Sequence, residues 1–210
     1  MAKKNGGVRN PDRTRRRLLA AAIRLFARQG YDGVSVDQIV AAAKANKRMV
    51  YHYFGDKTGI YRAAFDDVYR RLEKLEFHAV ESGATPTARL TKLLAAYFDF
   101  LDANPEFVRL LLWENLAKGR QLAARRKVLD KNPFLQRFRA ITEDGIARGE
   151  FRAELDVTHL LINLIGLCFI YHSNRFSLSQ SLAVDLDDPK VKQAALRQVL
   201  ALVFSGIAKR

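Results

Sequence analysis

Four residues of the segment KRMVYHYF carry chemistry at helical spacing. Lys47, Arg48, Tyr51 and His52 put two cations, a phenol and an imidazole toward one side, while Val50 and Phe54 share the other. That set suits recognition of a nucleic acid rather than covalent chemistry. A guanidinium matches the guanine edge bidentately, which makes Arg48 the foremost candidate for direct base reading. Met49, between them, offers only apolar contact, for example to a thymine methyl. A second pair, Cys168 and His172, stands four residues apart, a spacing usable for metal binding or nucleophile activation. Two ligands do not make a metal site, and a buried thiol beside a hydrogen-bonded histidine has the same spacing. No paired carboxylates, Ser/His/Asp set or Gly-rich phosphate loop accompanies them. The expectation is therefore no enzyme, no catalytic residue, no metal and no cofactor.

A recognition face of this kind needs a rigid two-helix support, and the flanking residues supply its signals. Ser35 followed by Gln38 is a capping-box start, with Ile39, Ala42 and Ala43 at helical spacing behind it. The turn falls near Lys44 and Ala45, and Asn46 caps the second helix. Upstream, Pro11 opens a helix whose stripe is Leu18, Leu19, Ala22, Ile23, Leu25 and Phe26, closed by Gly30. Residues 1–10 precede it as a flexible basic arm. Lys3, Lys4, Arg9, Arg13, Arg15 and Arg16 suit phosphate or minor-groove contact there, with steep salt dependence.

Downstream the pattern stays helical throughout. Asp56 caps a long fourth helix running toward Glu81. A breaker at Ser82 to Pro86 precedes a helix carrying Leu90, Leu93, Leu94, Tyr97, Phe98 and Leu101. Further helices follow at about 105–117, 119–130 and 133–148. Asp156 opens a helix through about Asn174 that is apolar nearly all round and should be buried. A polar connection from Arg175 to Asp188 leads to a last helix starting at Pro189. No strand-like alternation or repeat appears, so the fold class is all-α.

The charge balance agrees with the recognition face. The 210 residues carry a net charge of +14, and residues 1–60 hold 13 Lys and Arg against 4 Asp. Such an excess around the candidate reader calls for a polyanionic partner. Hydrophobic content of 49% is ample for a core. A lone cysteine excludes an intrachain disulfide and fits a reducing compartment. The basic N-terminus is not followed by a signal-peptide apolar run, and Leu160 to Tyr171, interrupted by Asn163, is too short to span a bilayer. These features predict a cytoplasmic protein with no membrane partner.

Arg16 to Gly30 (RRLLAAAIRLFARQG), Val34 to Ala43 (VSVDQIVAAA) and Lys47 to Lys57 (KRMVYHYFGDK) together resemble the DNA-binding domain of the TetR/AcrR family of bacterial transcriptional regulators. The resemblance covers roughly residues 12–60. It implies a three-helix helix-turn-helix domain over 11–55 and a larger helical bundle over 56–210 for effector binding and dimerisation. It assigns Lys47, Arg48, Met49, Tyr51 and His52 to the groove side, Tyr51 and Lys57 to phosphates, and Ser35 to a phosphate at its helix N-terminus. One departure stands in the turn, where Lys44 replaces the family's frequent Gly; a left-handed residue there costs roughly 1 to 2 kcal/mol.

For the second domain the resemblance implies an unknown small-molecule effector. Tyr97, Phe107, Trp113 and Phe138 either line its cavity or fill the core, and the mid-helix polar groups Asn163 and His172 are better pointers because a buried polar atom needs a partner. A reader this small covers a short half-site. A homodimer on a near-palindromic double-stranded operator is therefore expected, joined through helices 156–174 and 189–208. The leading reading is a ligand-responsive repressor; the alternative is a weakly specific nucleoid-type DNA-binding protein.

Overall fold

The computed structural model describes residues 11–74, 85–120 and 133–209. Expectations for the arm over residues 1–10, the end of the fourth helix beyond residue 74, most of the 82–86 breaker and most of the helix at 119–130 lie outside the described residues. Ten helices run through the described part: α1 (Pro11–Gln29), α2 (Val36–Ala43), α3 (Lys47–Phe54), α4 (Lys57–Glu73), α5 (Pro86–Ala103), α6 (Pro105–Leu116), α7 (Pro133–Ala147), α8 (Val157–Ser173), α9 (Arg175–Leu182) and α10 (Pro189–Ile207). The other regular feature described is an isolated antiparallel bridge, Phe151 to Ala208, which clips the loop after α7 to the end of α10.

Local signals start and stop these helices. Ser35 Oγ accepts from Gln38 N at 3.2 Å while Gln38 Oε1 accepts from Ser35 N at 2.7 Å, completing the capping box of α2. Asn46 Oδ1 accepts from Arg48 N at 2.9 Å to open α3, and Asp56 Oδ1 accepts from Gly59 N at 2.6 Å to open α4. Pro86, Pro105 and Pro189 each begin a helix, where a missing N–H is not felt.

The α2–α3 turn is left-handed at Lys44, with φ 47° and ψ 50°. Arg17 of α1 braces it: its Nη2 donates to the carbonyls of Ala43 and Lys44, the latter at 2.9 Å. These are orphan carbonyls of a helix end, and a cation is the favoured partner there. Relieving the backbone strain should outweigh the extra chain entropy of glycine. Lys44→Gly is expected to stabilise the protein by ~0.5–1 kcal/mol. Calorimetry should then show Tm rising by about 2 °C; a fall would mean that the turn is not strained.

A continuous apolar core runs from Leu18 through Phe65, Leu94 and Phe138 to Val203. α4 joins the N-terminal head to the body by burying Ile60, Tyr61, Ala64 and Phe65. α6 touches the head as well. Gly30, at φ 70°, ends α1 with its Cα face against Trp113, so close that a Cβ there would lie 2.8 Å from the indole. The Tyr61 hydroxyl donates to the buried Glu114 carboxylate at 3.1 Å.

Two expectations are corrected. Residues 175–182 are helical rather than an irregular connection, because Leu178 N reaches Asn174 O at 2.9 Å and Ser179 Oγ accepts from Leu186 N at 3.2 Å. The α8 helix, expected to be buried, has only Leu160, Leu164 and Cys168 buried. Its neighbours α5, α6, α7 and α10 cover one stripe of it and leave Ile162 and Ile170 59% and 45% exposed.

Candidate DNA-binding surface

The apolar side of α3 fixes its orientation. Val50 is fully buried against the head, and Phe54 is half-buried and packs on the core with the Arg15 guanidinium 5.3 Å from its ring centre. Lys47, Arg48, Tyr51 and His52 then all fall on exposed positions. Met49, expected on the groove side, is half-buried and packs against the core, because the inward arc of α3 takes in Val50, Phe54 and Tyr53, and at about 100° per residue Met49 falls beside Tyr53 while Tyr51 falls beyond the opposite edge. Tyr51, 51% exposed, stands clear at the middle of the face.

Electrostatics distinguish the cations. Lys47 Nζ lies 2.9 Å from Asp37 on α2, and that hydrogen bond and charge hold its ammonium above the ordinary lysine range. Any other anion at Lys47 competes with Asp37 for it. The Arg48 guanidinium has no ion pair among the described residues. Lys57 stacks its ammonium 4.3 Å over the Tyr31 ring, and Tyr31 is itself anchored by a 2.8 Å hydrogen bond to Thr58. Ser35 is exposed at the N-terminus of α2, where its hydroxyl accepts from Gln38 N and keeps its own proton free to donate. Arg13 and Arg16 are exposed on the first turns of α1, with Arg16 Nε 3.4 Å from Asp12 O. Sequence reasoning missed Arg17, Asp37 and Tyr31 as the groups that set the turn and tether the cations. Arg17 stands one turn before buried Ala21, and that position was the available signal.

The residues proposed for an effector are not brought together. Tyr97, Phe107 and Phe138 are buried in the body: Tyr97 packs on Phe134 at 5.3 Å, and Phe107 on Phe100 at 5.1 Å. Trp113 lies apart, at the contact with Gly30, and Asn163 is exposed on the far side of α8. His172 meets the Phe98 ring edge-on at 4.7 Å, and burial pushes its pKa down to about 4. Cys168 is buried and its thiol is pushed up to about 12 by desolvation, so it is neutral at ordinary pH. Among the described residues no three His, Cys, Asp or Glu side chains converge.

A short helix with a polar outer face, set by a tight turn on a second helix and backed by a third, defines a helix-turn-helix DNA-binding protein. Residues 18–64 match the family described as bacterial regulatory proteins, tetR family, and residues 86–203 match the tetracyclin repressor-like C-terminal domain. The chain belongs to the TetR family and is a DNA-binding transcriptional regulator. The HTH-type transcriptional repressor NicS of Pseudomonas putida is 35% identical to it over 215 aligned positions, covering 100% of both chains. Among solved structures, the fatty acid degradation regulator FadR of Bacillus halodurans superposes with a TM-score of 0.74 at 20% identity, covering 99% of this chain and 100% of that one. FadR of Bacillus subtilis, in complex with stearoyl-CoA, superposes with a TM-score of 0.72 at 22% identity, covering 92% and 99%.

Proposed function

We infer that this regulator is a homodimeric repressor, working in the cytoplasm, that holds a near-palindromic operator and releases it when a small molecule binds its C-terminal body. It acts by binding and not by covalent chemistry. The observation that carries this reading is the exposed Arg48, Tyr51 and His52 face on a helix locked from behind by Val50. Lys47, Lys57, Ser35, Arg13 and Arg16 surround that face with phosphate-binding groups.

The bare side of α8 supports the dimer. Ile162 and Leu202 are 59% and 61% exposed beside a groove of about 810 Å³ between α8 and α10. Gly166 and Gly206 line it with open space where a Cβ would stand, which permits close approach of a second pair of helices. A four-helix interface made from α8 and α10 of two copies would cover this apolar surface. Ligand response is supported by contacts of α6 with Gly30 of the head, through Trp113, and with Tyr61 of the joining helix α4, through Glu114. A ligand that prefers one placement of α6 and α4 changes the separation of the two α3 helices. A protein of this fold, FadR of Bacillus subtilis, forms a complex with stearoyl-CoA, which supports ligand response here.

Selection of bound sequences from random DNA, followed by footprinting, tests the reading. The expected result is a symmetric site with half-sites about one helical turn apart, roughly 34–36 Å or a multiple, and affinity falling steeply with salt. Uniform coating of any duplex would sink it.

A further inference from the structure

Between the end of α5, the first half of α6 and the α8–α9 junction lies a cavity of about 150 Å³. Leu101, Val108, Leu112 and Phe176 give it apolar walls, and Arg109 and His172 give it polar groups. The charges beside it are mostly spent on one another. Arg175, which also lines it, lies 3.2 Å from Asp187 and stacks on Phe176 at 4.6 Å; Lys192 lies 2.6 Å from Asp102 and 3.8 Å from Asp187. Two cations and two carboxylates therefore cancel. Arg109 has no ion pair among the described residues, so one positive charge is left over. The His172 Nε2 is buried without a hydrogen-bond partner, which a buried polar atom rarely tolerates.

We propose that this cavity is the effector site and that its ligand is a small monocarboxylate with an apolar body about the size of one ring. The carboxylate meets the Arg109 guanidinium, and the body fills the space among Leu101, Val108 and Leu112. A single unmatched cation selects a single negative charge, and its planar fork fits a carboxylate. The volume admits one ring and excludes a long acyl chain. The assignment rests on the ligand-responsive reading and gives it a route. Arg109 and Leu112 sit on α6 within about a turn of Trp113 and Glu114, the residues that touch Gly30 and Tyr61.

Trp113, the single tryptophan of the chain, follows Leu112 directly and reports occupancy by its fluorescence. Full-length protein is titrated to about 10 mM with benzoate and cyclohexanecarboxylate, and with the uncharged amides of both. The carboxylates are expected to bind at least tenfold more tightly than the amides. Arg109→Gln, an exposed position, should erase that preference while leaving the circular dichroism melt unchanged. Equal binding of acids and amides, or no loss in Arg109→Gln, overturns the proposal. A parallel assay follows release of selected DNA. If an uncharged compound releases DNA and neither carboxylate binds, the site falls and the ligand-responsive reading stands. Carboxylate binding with no release by any compound sinks that reading, and the effector role with it.

Discussion

Arg48→Ala should weaken binding to the specific DNA site by roughly 5- to 150-fold, the 1–3 kcal/mol that one bidentate base contact supplies, with little change on random duplex. The residue sits on the exposed first turn of α3, its backbone N–H held by Asn46 at 2.9 Å and its guanidinium without an ion pair among the described residues. The helix end is thus fixed while the side chain remains available. Lys47 beside it is engaged by Asp37 and must first be released. Because nothing in the fold depends on the Arg48 side chain, unfolding should shift by less than about 0.5 kcal/mol. Fluorescence anisotropy at fixed salt on both DNAs measures the effect. An equal loss on the two would make Arg48 a phosphate contact and leave base reading to another residue.

Gly59→Ala should destabilise the protein by ~3 kcal/mol and abolish operator binding together with it. Gly59 lies in the first turn of α4, where the Asp56 carboxylate accepts its N–H. A Cβ there would stand 1.7 Å from the carbonyl oxygen of Phe54, the last residue of α3. The clash is with backbone, so no side-chain rotation relieves it; either α4 loses its first turn or α3 is pushed away. Tm should drop by about 6–12 °C, and refolded protein at low temperature should still bind selected DNA poorly because the angle between α3 and α4 has changed. Native-like melting with full binding would show that the joint has slack the geometry denies.

The contrast between these two residues shows where the sequence could be read. The exposed place of Arg48 on α3 was legible because helix starts are local: Asn46, two residues away, caps the helix, and Val50 declares its inward side. The same holds for Ser35 with Gln38 and for Asp56 with α4. Gly59 was silent, since nothing in its neighbours announces the approach of Phe54 O. The partner of Arg17 lies 27 residues away and that of Tyr61 lies 53 away, so no window of helical length contains either pair. For α8, an all-apolar pattern predicted burial all round, whereas the fold covers one stripe and leaves Ile162 and Ile170 exposed, because apolar content alone does not say which neighbours pack where. For α9, the sequence RFSLSQSL has no apolar stripe, and its helix is held instead by Asn174 and Ser179. The effector residues were chosen by type, and aromatic type does not distinguish Tyr97 in the core from Trp113 on the head.

The brace from Arg17 to the α2–α3 turn bears on how far the reader is portable. α2 and α3 are 8 residues each, too short to hold their shape in water unaided. Their turn closes on a side chain that α1 donates, over carbonyls that would otherwise face solvent. Residues 33–57 are therefore not a transplantable module. A chimera that grafts them onto another scaffold must bring α1 with them, and a regulator with altered DNA preference is better made by exchanging side chains on α3 than by exchanging the helix pair.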